Sequence, residues 1–151
     1  MKHLTILTGA SRGMGLALAR QLLNADAQLL CISRSASDAL AQQAAATGAT
    51  LEQWCMDLAD GASVAARLGE WLRAVNPATL ASATLVNNAG VISGLVPLHQ
   101  ANPADLAHAL RVGLEAPMQL CAAFLGATQA WQLPRKVLNI SSGLGRRAMA
   151  S

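Results

Sequence analysis

The sequence predicts an α/β domain in which helices cover both faces of a doubly wound parallel sheet, giving three layers. The first observation is that short apolar runs alternate along the chain with segments of helical periodicity. The second is that these runs are continuously apolar, which is typical of strands buried on both faces. The third is composition, since 53% of the 151 residues are hydrophobic and only 13% are charged. No repeat, linker or low-complexity tract divides the chain, so we expect one domain over residues 1–151.

The first half of the chain predicts two successive strand-helix-strand units. Strands are expected at residues 4–8, 28–33 and 51–56, and helices at residues 13–25 and 37–47. A glycine-rich turn joins the first strand to the first helix. Gly48 marks the end of the second helix, because the residue that follows a helix often adopts a left-handed conformation that favours glycine.

The second half predicts a helix, a strand, a long helix and a final strand. The helix at 60–75 carries one apolar stripe, and a strand follows at 84–87. Asn102 and Pro103 are a capping residue and a first-turn proline, so a helix of about 25 residues is expected to begin there. The last strand is expected at 137–140. Because parallel strands are joined by right-handed crossovers, we predict the sheet order 3-2-1-4-5.

Bulk properties exclude several classes of function. The formal net charge is +3 and the pI is about 9.1, but the basic residues are dispersed and aromatic residues make up only 3%, so no nucleic-acid surface is expected. No segment approaches the roughly 20 apolar residues of a membrane span. The apolar run near the N-terminus is too short for a signal peptide. The cysteines are few, far apart and without metal-binding spacing: Cys31, Cys55 and Cys121. We interpret them as reduced core residues of a cytoplasmic protein without a metal.

The turn after the first strand has the chemistry of a dinucleotide site. Its glycines follow the spacing Gly9-x3-Gly13-x-Gly15. Bare backbone lets a pyrophosphate approach, and the N-terminus of the next helix offers free N–H donors to an anion. By itself the segment also fits an ordinary strand-to-helix turn, but the flanking strand and helix favour the nucleotide. No Gly-Lys-Ser/Thr follows, so ATP or GTP hydrolysis is not expected.

Four motifs, each after a predicted strand, together resemble the short-chain dehydrogenases/reductases over the whole chain. They are the glycine turn, Asp57, the Asn-Asn-Ala-Gly segment 87–90 and the Asn-Ile-Ser-Ser segment 139–142. The resemblance implies a Rossmann-like domain of an oxidoreductase that transfers hydride between a nicotinamide cofactor and a small carbonyl or alcohol substrate. It also implies a homodimer or homotetramer that pairs through the long helix. Segment 137–143 and the loop after Gly90 are similar to the sepiapterin and benzil reductase branch.

The resemblance also implies which residues bind the cofactor. The phosphates are wrapped by the turn residues Gly9, Ser11, Arg12, Gly13, Met14 and Gly15. The adenine edge and the cavity wall come from Asp57, Leu58, Asn88, Ala89 and Gly90. A carboxylate at Asp57 accepts a hydrogen bond from the exocyclic amine of adenine, with a helix cap as the alternative role. Asn87 is expected to hold neighbouring turns together rather than to contact the cofactor.

The end of the second strand indicates which nicotinamide cofactor is used. An acidic residue there binds the ribose 2′-hydroxyl of NAD, whereas a basic residue meets the 2′-phosphate of NADP. This chain has Ser33-Arg34 at that point, and Arg12 lies in the glycine turn. Two guanidinium groups converging on one phosphate favour NADP(H). The alternative is that either arginine is a solvated surface charge.

The residues for proton transfer depart from the family pattern. The resemblance implies a catalytic tyrosine, a lysine four residues after it, a serine, and an asparagine in the long helix. Ser142 matches the serine, with a turn cap as the alternative, and Gly113 stands in the place of the asparagine. The sequence contains no tyrosine and reaches Ser151 before the family's Tyr-x-x-x-Lys and its last strands. We expect the N-terminal part of a longer enzyme, inactive by itself; the alternative is a non-catalytic NADP(H)-binding or sensor protein.

Three histidines remain, namely His3, His99 and His108. Their spacing does not suit a compact metal site. His99 falls in a loop placed to border a substrate, but we interpret all three as solvated side chains.

Overall fold

One parallel sheet of five strands forms the centre of the molecule. The computed structural model describes residues 1–143. Its strands are β1 (Lys2–Thr8), β2 (Ala27–Ser33), β3 (Thr50–Cys55), β4 (Leu80–Asn87) and β5 (Arg135–Asn139). All neighbouring strands are parallel, and they lie in the order β3-β2-β1-β4-β5. The predicted sheet order is therefore confirmed.

Five α-helices connect or flank these strands. They are α1 (Gly13–Leu22), α2 (Asp38–Thr47), α3 (Gly61–Ala74), α4 (Pro103–Leu110) and α5 (Ala116–Ala127). A π-helical segment, Arg111–Glu115, joins α4 to α5, so the predicted long helix is present but carries one wide turn. Asn102 caps it as expected, because its Oδ1 accepts the N–H of Ala104 at 2.8 Å. No helix within residues 1–143 is long and apolar enough to cross a membrane.

A separate apolar core lies on each face of the sheet. On one face Ile6 of β1 packs with Leu68 of α3 and Phe124 of α5. On the other face Leu7 of β1 packs with residues of α1 and α2. Because successive side chains of a strand point to opposite faces, these neighbouring residues of β1 serve both cores. The arrangement confirms the three layers expected from continuously apolar strands.

Two predicted boundaries differ from the structure by three residues or more, and the others by no more than two, including the starts of β1 and β5. Helix α1 ends at Leu22 rather than at residue 25, because the side chain of Asn24 accepts the N–H of Asp26 at 3.0 Å and forms a local turn. Strand β4 begins at Leu80, four residues earlier than expected from sequence. Its first half is rich in alanine and serine and has little strand propensity, but it pairs with β1 and is held there by tertiary structure.

The cysteine prediction was right for one residue and wrong for another. Cys31 is only 2% exposed within β2, and burial raises the pKa of its thiol to about 12. Cys55 is exposed, because it is the last residue of β3, the edge strand of the sheet. Cys121 is half-buried on α5. All three are free thiols.

The register of the strands brings their carboxyl ends to one edge of the sheet. Thr8 pairs with Ile32 of β2, and Asn87 of β4 pairs with Asn139 of β5. The chain proceeds outward from β1 to β3 and then crosses to β4 on the other side of β1. This reversal opens a crevice at the carboxyl ends of β1 and β4, where open α/β sheets bind ligands.

Candidate functional site

A cavity of about 310 Å³ lies at this edge of the sheet. Every residue that the sequence nominated for cofactor binding lines it, from the glycine turn, the end of β2, the turn after β3 and the segment after β4. Six further residues also line it: Ile32, Ser33, Met56, Val91, His108 and Val112. The structure thus brings the nominated residues together around one volume, and their contact with a cofactor stays a prediction.

The glycine turn packs directly against the segment that follows β4. Gly9 has a φ of +72°, and a Cβ added to it would lie 2.9 Å from the Cα of Ala89. A Cβ added to Gly15 would overlap the carbonyl oxygen of Gly9. Neither position therefore accepts a side chain, since one needs a left-handed conformation and both are filled by backbone. The result is a turn whose backbone is exposed to the cavity.

Hydrogen bonds from two side chains hold this turn to the end of β4. The hydroxyl of Thr8 accepts the N–H groups of Asn88 and Ala89, both at 3.0 Å, and donates to the carbonyl of Val86 at 3.5 Å. The amide Nδ2 of Asn88 donates to the carbonyl oxygens of Thr8 at 3.0 Å and Gly9 at 3.4 Å. Asn88 therefore lines the cavity while its amide nitrogen positions the turn.

The other side of the turn is held by β2. The hydroxyl of Ser33 accepts the N–H of Ala10 at 2.8 Å. Ser33 is buried, so this bond is shielded from competing water. The glycine turn is fixed from both neighbouring strands.

Asn87 has a structural role, as expected, and does not line the cavity. Its Nδ2 donates to Oδ1 of Asn139 at 2.8 Å and to Sγ of Cys121 at 3.4 Å. The side chain thereby ties β4 to β5 and to helix α5. Its Oδ1 is buried and has no partner within residues 1–143.

The two carboxylates after β3 both cap helices. Oδ1 of Asp57 accepts the N–H of Ala59 at 2.9 Å and begins the 3₁₀ turn Leu58–Asp60. Asp60 accepts the N–H of Ser63 at 3.3 Å and begins α3. Hydrogen bonding to Ser63, first to its side chain and then to its backbone N–H, lowers the pKa of Asp60 below its usual value. The capping and cofactor roles considered for Asp57 are compatible, because Asp57 caps through Oδ1 while lining the cavity.

Positive charge borders the cavity on two sides. Arg12 lies in the glycine turn and Arg34 follows β2, and both side chains are exposed. Neither guanidinium is engaged by another group within residues 1–143. Arg12 is also the residue that precedes α1, and its side chain makes no capping hydrogen bond. The first N–H groups of that helix therefore lack a side-chain acceptor at this position. The cavity therefore presents donors and positive charge to an anion.

The long helix supplies the remaining wall. Val112, in the π segment, is buried and lines the cavity, whereas the adjacent Gly113 is exposed and is not among the lining residues. His108 lies four residues before Val112 and lines the cavity too. His108 was not among the residues nominated from sequence for the cavity. Its helical spacing from Val112, next to the family's asparagine position, is the sequence signal that indicates its place.

The catalytic candidate is not one of the residues that line this cavity. Ser142 is exposed in the segment directly after β5. His99 is exposed in the 3₁₀ turn Leu98–Gln100 and bonds to the neighbouring Gln100. Within the described part of the chain, no three His, Cys, Asp or Glu side chains are placed to hold a metal ion.

Known proteins resemble the chain along its length. A family model described as short chain dehydrogenase matches residues 3–151. Benzil reductase ((S)-benzoin forming) of Bacillus cereus is 30% identical over 141 residues, which are 93% of this chain and 57% of that protein. D-erythrulose reductase of Gallus gallus is 31% identical over 144 residues, which are 95% of this chain and 54% of that protein. The chain thus spans a little over half the length of these relatives.

Solved structures share the fold. A short-chain dehydrogenase/reductase from Burkholderia vietnamiensis is 39% identical with a TM-score of 0.86, over 99% of this chain and 70% of that one. A metagenomic short-chain oxidoreductase in complex with NADP is 33% identical with a TM-score of 0.81, over 99% of this chain and 66% of that one. The expected similarity to benzil reductases and the expected Rossmann-like fold are both confirmed.

Proposed function

The chain belongs to the short-chain dehydrogenase family, and on that premise we propose that residues 1–151 form the NADP(H)-binding domain of a carbonyl reductase or alcohol dehydrogenase. The observation that carries the proposal is the cavity itself. It combines a turn too closely packed for side chains at Gly9 and Gly15 with two unengaged guanidinium groups. NADP(H) needs both features, because its pyrophosphate requires the open turn and its 2′-phosphate requires the guanidinium groups.

The residues present fit a dinucleotide. The uncapped N-terminus of α1 opens onto the glycine turn, and its N–H groups are donors for a pyrophosphate. Asp57 and Leu58 line the cavity beyond the end of β2, where an adenine base would lie. When bound, the nicotinamide supplies hydride chemistry. The residues of the cavity bind and orient the dinucleotide and keep the glycine turn rigid.

The preference for NADP(H) over NAD(H) rests on Arg12 and Arg34. Two guanidiniums at one cavity favour a doubly charged phosphate by charge-assisted hydrogen bonds, and the residue directly after β2 is Arg34 rather than an acidic residue that would bind a 2′-hydroxyl. The metagenomic relative, 33% identical, was solved in complex with NADP. This relative supports the same cofactor here.

The substrate is a small carbonyl or alcohol compound in this proposal. The curated relatives are reductases of benzil and of D-erythrulose by name, and carbonyl reduction is the chemistry these names share. Ser142 is the residue proposed to donate a hydrogen bond to the substrate oxygen. It follows β5 at the same edge of the sheet as the cavity.

Assembly through the long helix is part of the proposal. Three apolar side chains on one stretch of this helix are largely exposed, namely Leu110 (61%), Leu114 (56%) and Met118 (64%). Apolar residues at a spacing of four share a helix face, and such a face is covered in a homodimer or homotetramer. The free thiols fit a cytoplasmic location.

Cofactor titration tests the proposal. In the protein expressed from its complete coding sequence, NADPH should bind more tightly than NADH. Replacing Arg34 by alanine should weaken NADPH by about 10- to 100-fold and leave NADH nearly unchanged, since a hydrogen bond to a charged group is involved. The matched control is Arg20→Ala, because Arg20 is exposed on α1 outside the cavity. Equal affinities for NADPH and NADH would contradict the NADP(H) preference, and no binding of either would contradict the function.

A second candidate is a non-catalytic NADP(H)-binding or sensor protein. The observation that favours it is Gly113, which supplies no side-chain amide where the family has an asparagine. Both candidates bind NADPH, but only the enzyme oxidises it when a dicarbonyl such as benzil is added. Loss of NADPH absorbance that depends on the carbonyl compound separates the two.

A further inference from the structure

A histidine of helix α4 lines the cavity and has no role in the site described above. His108 is half-buried, and its imidazole makes no hydrogen bond within residues 1–143. It stands about one helical turn before Val112, which is buried and lines the same cavity. A polar ring at a cavity wall without a protein partner is placed to bind a ligand.

The packing of the long helix indicates which end of the cavity His108 borders. The π segment that follows α4 packs against the turn Leu58–Asp60, and Asp57 and Leu58 line the cavity together with His108. Helix α1, which begins at the glycine turn, belongs to the core on the other face of the sheet from α5. His108 therefore belongs to the wall beside Asp57 and Leu58, away from the phosphate-binding turn.

Two other polar side chains near this end each bond a protein N–H group through one oxygen. Oδ1 of Asp57 holds the N–H of Ala59, and the hydroxyl of Ser33 holds the N–H of Ala10. An imidazole in its neutral form offers one donor and one acceptor. An adenine base offers ring nitrogens that accept and an amine that donates. The two are complementary at a wall to which Leu58 and Val112 contribute apolar surface and Asp57 contributes a carboxylate.

We propose that His108 is a further cofactor-binding residue, which hydrogen-bonds the adenine base of the dinucleotide. The inference rests on the proposed function, because it requires that the cavity hold a dinucleotide. One hydrogen bond of ordinary net strength corresponds to about a 3- to 10-fold change in affinity. His108 thus adds a contact on the base that is independent of the two arginines on the phosphate.

Fragments of the cofactor test which end His108 contacts. In the protein expressed from its complete coding sequence, His108→Ala is compared with wild type for NADPH, for adenosine 2′,5′-bisphosphate and for reduced nicotinamide mononucleotide. NADPH and the bisphosphate should each bind about 3- to 10-fold more weakly to the variant, because both carry adenine. Affinity for the mononucleotide should not change. His99→Ala is the matched control, since His99 is exposed outside the cavity-lining set.

The outcomes separate this inference from the proposed function. A wild type that binds none of the three ligands overturns both. A wild type that binds NADPH while His108→Ala binds the bisphosphate equally well overturns the inference alone. A loss confined to the mononucleotide also overturns it, because His108 would then border the nicotinamide. If His108→Ala melts at a lower temperature than wild type, His108→Leu fills the same space and should show the same weakening, and unchanged bisphosphate affinity there counts against the inference.

Discussion

Two regions next to the cavity are built in different ways. The first is the cradle, formed where β1 and β4 end by Thr8, Gly9, Gly15, Asn88 and Ala89. The second is the helix face, an exposed side of the long helix around the π segment that lies outside the cavity lining and consists of Leu110, Gly113, Leu114 and Met118. In the cradle, backbone packs on backbone and the side chains hydrogen-bond within it. On the helix face, apolar side chains are exposed and space is open.

The difference shows where the molecule has room for a larger side chain. A Cβ at Gly15 would overlap a carbonyl oxygen, whereas a Cβ at Gly113 would meet no atom within 4 Å. In the proposed function the cradle receives a pyrophosphate, and its close-packed backbone leaves no room for side chains at Gly9 and Gly15. His108 and Gly113 both lie on the long helix, one in α4 and the other in the π segment.

Thiol reactivity gives the largest difference expected between an interior strand and an edge strand. Cys31 lies in β2 beside the cradle, and burial raises the pKa of its thiol from 9.0 to about 12. Three pKa units lower the thiolate fraction about a thousandfold at any pH below the usual value. Because Cys55 is exposed, iodoacetamide should modify Cys55 long before Cys31, as followed by mass spectrometry of peptides.

Unfolding the protein in guanidinium chloride provides the control for this experiment. All three cysteines should then react at similar rates, since no burial distinguishes them. If iodoacetamide modified native Cys31 as fast as Cys55, the interior of the sheet would have to open readily. The expected difference between the interior strand and the edge strand would then be wrong.

Substitution in the cradle should weaken cofactor binding. Gly15→Ala places a Cβ against the carbonyl oxygen of Gly9, so the turn or the start of α1 must move. Displacement of close-packed backbone costs about 1–3 kcal/mol or more, and we expect NADPH affinity to fall by about 100-fold. Fluorescence titration with NADPH measures the change. The matched control is Gly126→Ala on α5, where an added Cβ has no neighbour within 4 Å, and unaltered binding to Gly15→Ala would contradict the close packing.

The sequence predicted most of the fold because each strong element carries its own local signal. Continuous apolar runs such as β1 and β2 indicate buried strands, and Asn102-Pro103 indicates a helix start. The first half of β4 was missed, since alanine and serine take strand conformation there only because β1 lies beside them. The exposure of Cys55 was missed for a related reason, because edge position depends on the whole sheet.

The site was predictable to the extent that its chemistry lies in the backbone. Glycine spacing predicted the turn, because only glycine fits where another chain segment approaches closely. Asn88 was nominated from sequence as a cavity residue, but its side-chain amide nitrogen is hydrogen-bonded to the carbonyl oxygen of Thr8 beside the glycine turn. His108 was missed as a wall residue, because its place depends on how α4 and the π segment pack against the Leu58 turn. Helical spacing places His108 on the same helix face as Val112, but which cavity that face borders depends on packing between distant segments.

The hydroxyl of Thr8 offers a sharper test of the cradle than a glycine does. Thr8→Val keeps the shape of the side chain but leaves the N–H groups of Asn88 and Ala89 without their acceptor. Thr8 is only 2% exposed, so water cannot readily replace the hydroxyl. Unpaired buried groups cost about 1–3 kcal/mol, and we expect the free energy of unfolding to fall by about 2 kcal/mol. Thr8→Ser retains the hydroxyl and should lose much less in urea titrations, whereas equal losses in both variants would point to packing instead.

The helix face should respond in the opposite direction and by the smallest amount. Gly113→Ala adds a Cβ where no atom lies within 4 Å, at a helical position without a positive φ. Because glycine is a poor helix former, alanine should raise the free energy of unfolding by about 0.5–1 kcal/mol, as measured by urea titration. Gly126→Ala, on the regular helix α5, provides the comparison for an ordinary helical turn. A gain at position 126 with a loss at position 113 would show that the wide π turn itself requires glycine, and the helix face would then be as constrained as the cradle.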